Sequence, residues 1–121
     1  MTELTHDIIM HSTEDVDGLP AYYDRTGERI SMTRAMELRS DIAYKILRTT
    51  KVGRRAVITS WLGEVQRNMP NDGAPYIYGT IVQKGKKFDH GVEVFANSEE
   101  SALSDHERLV ARLRAPRLRH R

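Results

Sequence analysis

Residues 98–115 read as an amphipathic helix with signals at both ends, and such a helix needs a complementary apolar surface to lie on. Asn97 or Ser98 caps it, Glu99 and Glu100 occupy its first turn, and Arg108, Arg112 and Arg114 crowd its last turns. That charge order suits both ends of the helix dipole. Ala102, Leu103, His106, Leu109, Val110 and Leu113 recur at i, i+3 and i+4 spacing and form one stripe. Pro116 ends the helix. Burying Leu103, Leu109, Val110 and Leu113 is worth roughly 6–12 kcal/mol by transfer estimates, as an upper bound.

The preceding residues supply a surface of the right kind. From Ala43 the rhythm changes to period two, with Tyr44, Ile46 and Arg48 alternating against Lys45, Leu47 and Thr49. This predicts strands over 43–52 and 55–62, joined at Gly53. Further strands are expected over 76–83 and 90–96, with Lys84-Gly85-Lys86-Lys87 as the turn. Trp61, Ile77 or Val94 should meet the helix stripe. Earlier in the chain, Tyr22 to Ile30 reads as a short hairpin turning at Gly27, and Ser31 caps a shorter helix over 32–41. The expected fold class is α+β: an antiparallel sheet of about four strands with both helices packed on it. The expected organisation is an acidic arm at 1–19, a single domain at 20–115 and a basic tail at 116–121.

Charge along the chain is more telling than its total. Met1 to Asp24 holds six acids and no Lys or Arg, whereas Arg108 to Arg121 holds six arginines and no acid. Taking those six away from the formal +2 leaves −4 on the first 107 residues, so the basic pI belongs to the tail. The chain has no Cys, hence no disulfide framework and no thiolate chemistry. No apolar run approaches the roughly 18 residues that span a bilayer. Acids stand where a secretory signal needs a basic region, so the expectation is a cytoplasmic protein, not a secreted one, with no membrane partner.

Residues with chemistry to offer do not assemble into a recognisable site. His6, His11, His90, His106 and His120 lack the short paired spacing of structural zinc sites. His106 lies on the apolar stripe and reads as a hydrogen-bonded core histidine. Asp105 and His106 face different sides of their helix. Ser60 and Thr80 have no nucleophile elbow, and the lysine-rich turn is too short for a phosphate loop. Gly79 within a strand marks a bulge or the close approach of another backbone. No catalytic residue, metal ligand or cofactor is expected.

Several segments in fixed order carry a resemblance: Tyr23-Asp24-Arg25 with Gly27 and Ile30, Ser60-Trp61-Leu62-Gly63, Pro75, and Ile77 through Val82. The last is Ser98 through Leu103, followed by His106. In these the chain resembles a group of small uncharacterised actinobacteriophage proteins, those of mycobacteriophages especially. The resemblance implies a phage origin and a role in the cytoplasm of an infected bacterial host, and it brings no established activity. Where the pattern leads one to expect Asp-His after Trp-Leu-Gly, this chain has Glu64-Val65-Gln66, and Gly79 replaces an expected Glu.

Function is therefore expected from surfaces. One is the tail, with Arg112, Arg114, Arg117, Arg119 and Arg121. A second is the loop from Glu64 to Pro75 with the strand after it, where Arg67, Met69, Tyr76 and Tyr78 are the candidate contacts. The acidic arm, Glu3 to Asp17, is a third. The leading expectation is an accessory protein that binds and occludes a host protein, in host takeover or anti-defence. The alternative is a nucleic-acid-binding module gripping phosphates with its tail, Tyr76 and Tyr78 stacking bases. An enzyme is the least favoured reading, and a homodimer through an open sheet edge is compatible with either of the others.

Overall fold

A computed structural model of the protein describes residues 21–66, 69 and 73–116. The acidic arm, Arg67, and Arg117, Arg119 and Arg121 of the tail lie outside the described residues. The chain opens with a two-residue ribbon, β1 (Tyr22–Tyr23) against β2 (Arg29–Ile30), antiparallel. Asp24 closes it: one carboxylate oxygen accepts from the N–H of Thr26 and of Glu28 and from the Thr26 hydroxyl. Partial burial alone would raise this carboxyl; the bonds from Thr26, Glu28 and Gly27 outweigh it and hold the pKa below its ordinary value.

Ser31 then caps α1 (Met32–Arg39), its hydroxyl accepting from Arg34 N–H at 3.1 Å. Asp41 caps a single helical turn, α2 (Ile42–Lys45), which runs directly into β3 (Ile46–Val52). The strand expected over 43–52 thus starts three residues late. The Asp41 side chain and carbonyl take the Tyr44 N–H before any ladder can. The alternation expected through Tyr44, Ile46 and Arg48 is also broken. Ile46 pairs with Ser60 but Arg48 with Thr59, so the register slips at Leu47 and the two side chains leave opposite faces.

β4 (Arg55–Trp61), β5 (Tyr78–Lys84) and β6 (Lys87–Ala96) complete an antiparallel meander in the order β3-β4-β5-β6. β5 begins at Tyr78, not at 76, because its partner turns away at Gly63, whose φ is 85°. Tyr76 and Ile77 instead accept from Gln66 and Leu62 N–H in the loop. β6 starts earlier than expected, since Gly85 at φ 65° makes a tight turn that pairs Lys84 with Lys87.

The last helix, α3 (Glu99–Arg114), is capped by Ser98, which accepts from Ser101 N–H at 3.0 Å. It crosses one face of the sheet and divides the core into two clusters. Near its start, Ala102 joins Trp61, Ile77, Tyr78, Ala96, Tyr23 and Ala21. Near its end, Leu109 and Val110 pack on Val57 and Val82, with Leu113 and Val52 at the margin. Leu103 is only half-buried, so the expected four-residue stripe has two fully buried aliphatics. Val94 is exposed at the sheet edge and takes no part in the buried clusters. No described helix is long and apolar enough to cross a membrane.

Candidate interaction surfaces

His106 sits between the two apolar clusters, with its side chain fully buried. One ring nitrogen lies 2.8 Å from the Thr50 hydroxyl and the other 2.8 Å from the Thr59 hydroxyl, which is 2.7 Å from that of Thr80. Neutral imidazole has one donor and one acceptor, and two hydroxyls satisfy both. Burial pushes its pKa down; Glu107 opposes this and Arg48 adds to it. A hydroxyl at this distance from a histidine has the spacing of a nucleophile and its base. Thr59 and Thr80, however, are as buried as the ring, so nothing from solvent reaches them. The network is structural: it carries polar groups across a dry core without leaving one unsatisfied.

A second polar cluster surrounds Arg25. Its guanidinium donates to Glu99 at the start of α3 through Nε, at 2.6 Å, and to the Tyr44 carbonyl through Nη1, at 3.0 Å. Its N–H donates to the Tyr44 hydroxyl at 2.8 Å, and the Tyr78 hydroxyl donates back to its carbonyl. Tyr44 also lies 5.4 Å beneath the guanidinium and meets Trp61 edge-on at 5.2 Å. Trp61 donates its indole N–H to the Tyr23 carbonyl at 2.9 Å. Hairpin, α2, β5 and α3 are thereby fastened at one corner.

Most of the side chains quoted for the resemblance belong to these two clusters or to the caps beside them. Tyr23, Trp61, Ile77, Tyr78 and Ala102 form the buried cluster, Asp24 closes the hairpin, Arg25 and Glu99 form the clamp, and Ser98 caps α3. Their placement accounts for them by folding alone. Gly79 marks neither a bulge nor a backbone approach: a Cβ there would meet Leu62 at 3.1 Å and Phe95 at 3.5 Å, both side chains. Among the described residues no three His, Asp or Glu side chains converge as metal ligands.

Of the residues expected to contact a partner, Arg112 and Arg114 are exposed on the last turn of α3. Met69 and Tyr76 are half-buried. Tyr78 is a correction. It points into the core with 2% of its surface exposed and its hydroxyl engaged, so it offers no face for stacking a base. Burial, then the Glu99 charge, pushes its pKa up to about 12. It is an internal strut.

A surface that the sequence reading did not single out lies on the sheet opposite α3. Thr59, Val57, Thr80 and Val82 point at the helix, so their neighbours point away. Ile58 pairs with Ile81, and Ser60 pairs with both Ile46 and Gly79, which in turn pairs with Phe95. Ile46, Ile58, Ile81 and Phe95 are half-buried, and no described helix packs across them. Leu62 reaches over Gly79 at the margin, and Lys51 and Glu93 stand exposed at the two edges. Only a strand assignment with the Leu47 slip in place would have exposed this row to view. The chain has no match among protein-family models, curated proteins or solved structures.

Proposed function

We propose that the protein acts without catalysis, by stoichiometric binding of a partner protein that it occludes, and that the sheet face opposite α3 is the contact. The observation that supports this is the row Ile46, Ile58, Ile81 and Phe95, apolar and uncovered by any described element. Contiguous apolar surface that stays partly open to solvent and is rimmed by charge suits a protein-binding site. Here the rim is Lys51 on β3 and Glu93 on β6. A partner presenting an uncharged apolar patch, flanked by charges of opposite sign, fits it. The phage resemblance makes that partner a host protein, engaged in host takeover or against a defence.

A photo-crosslinking residue in place of Ile81 tests this in nuclease-treated actinobacterial lysate, with the same probe at exposed Thr33 as control. The expected result is one host protein captured near-stoichiometrically from position 81, absent from position 33, and lost in an Ile58→Thr background. Crosslinks only between copies of the chain, or equal capture from both positions, would overturn it.

A further inference from the structure

The meander and α3 bring separate basic segments to one end of the molecule. The β3–β4 and β5–β6 turns lie side by side there, because Val52 pairs with Arg55, Arg55 with Lys84, and Lys84 with Lys87. α3 runs toward the same end: Ala102 packs beside Trp61, and Leu113 packs with Val52 beside the Val57–Val82 cluster. Its last turn therefore adds Arg112 and Arg114. Lys51, Arg54, Lys84, Lys86, Lys87, Arg112 and Arg114 are all exposed. None of these seven forms an ion pair with another described residue. Lys45–Gly63, Gly73–Phe88 and Arg108–Pro116 contain no Asp or Glu, and Asp89 on β6 is the acid nearest in sequence to the β5–β6 turn. Asp24, Glu28, Asp41, Glu64, Glu99 and Glu100 belong to segments at the opposite end, around Trp61 and the Arg25 clamp.

We infer that this basic end binds the phosphate backbone of double-stranded nucleic acid, without reading its sequence. The two turns are two strand spacings apart, about 10 Å, and the helix adds a further layer about 10 Å from the sheet. Cations spread over that span meet several phosphates of a duplex at once, where a single phosphoryl group would meet one or two. A lipid surface fits less well. The large exposed hydrophobics, Met32, Met36, Ile42 and Val94, are all outside these basic segments, leaving no described apolar anchor beside the charges. Single-stranded binding needs accessible aromatic faces, and among the side chains described none is aromatic at the basic end, Tyr76 and Tyr78 being at the acidic end and Tyr78 buried. The inference does not rest on the partner protein proposed above, because the two surfaces share Lys51 alone.

The test is fluorescence anisotropy of the full chain with a labelled DNA duplex of about 20 base pairs, over a salt series. If four or five phosphates are engaged, log affinity falls against log salt with a slope of about −4. The triple variant Arg54→Ser, Lys84→Ser, Lys86→Ser changes only exposed positions in or beside the two turns, Lys84 being the last residue of β5, and circular dichroism checks its fold. It is expected to bind at least about tenfold more weakly, with the slope flatter by about 2. A chain ending at Pro116 is expected to keep a measurable slope. The Ile58→Thr variant is expected to bind the duplex as the parent does, which separates failure here from failure at the sheet face. Parent-like binding by the triple variant would overturn the inference. So would loss of all binding on removing the tail, or capture by anionic phosphatidylserine vesicles without any binding to the duplex.

Discussion

At the scale of single residues, Gly63 and His106 make the sharpest demands. Gly63 holds φ at 85°, and a Cβ there would fall 2.8 Å from the Trp61 ring, a buried group with no room to retreat. Gly63→Ala combines a left-handed backbone penalty with overpacking, and is expected to cost about 2–4 kcal/mol in urea denaturation. Gly53, equally left-handed but with open space around it, should cost only about 1 kcal/mol on the same change. His106 is neutral in the fold, and its pKa is lowered there. As pH falls below about 6.5, the unfolded chain takes up a proton that the folded chain resists, so stability falls with it. Unfolding midpoints between about pH 7.5 and 5 should show this decline, and His106→Gln should flatten its histidine component, at a lower overall stability. That His106 is a core residue was legible from the apolar stripe around it. Its partners Thr50, Thr59 and Thr80 were not, because pairing across three strands depends on a register that local pattern does not set.

Among elements, the hairpin is held by polar contacts as well as by Tyr23 in the core. Arg25 joins it to α2 and α3 across 74 residues of sequence, through a half-exposed ion pair with Glu99. Such a pair contributes about 1 kcal/mol, so Glu99→Gln should leave global stability nearly unchanged. It should, however, speed amide exchange locally at Asp24, Gly27 and Tyr23, as hydrogen-exchange mass spectrometry of that segment would show. Equal exchange in the variant and the parent would remove the clamp from the account. Helix α3 was the most legible element, since caps, stripe and end charges agreed. The start of β3 was the least: Ala43 to Lys45 alternate as a strand would, and only the cap at Asp41 turns them into a helical turn. The clamp was invisible in the sequence because a contact over that separation leaves no local mark.

For the molecule as a whole, the two faces of the sheet are unequal, and mutational cost should follow. Val82→Ala, beneath α3, empties a dry site and is expected to cost about 2 kcal/mol. Ile81→Thr, one residue earlier and pointing the other way, should cost less than about 1 kcal/mol while lowering affinity for a partner, a contrast that paired denaturation and binding curves would reveal. The amphipathic helix promised an apolar face for its own side. The second face came into view only once every strand had its register.

The meander order has a bearing on biosynthesis. Every strand of the sheet leaves the ribosome before α3, and each pairs with the neighbour made just before it, so the sheet can zip up as it emerges. Until α3 follows, Val57 and Val82 have nothing to shield them, and the nascent chain displays sticky surface on both sides at once. A chain cut off before Glu99 would keep that surface open permanently, and its soluble yield should fall well below that of the parent.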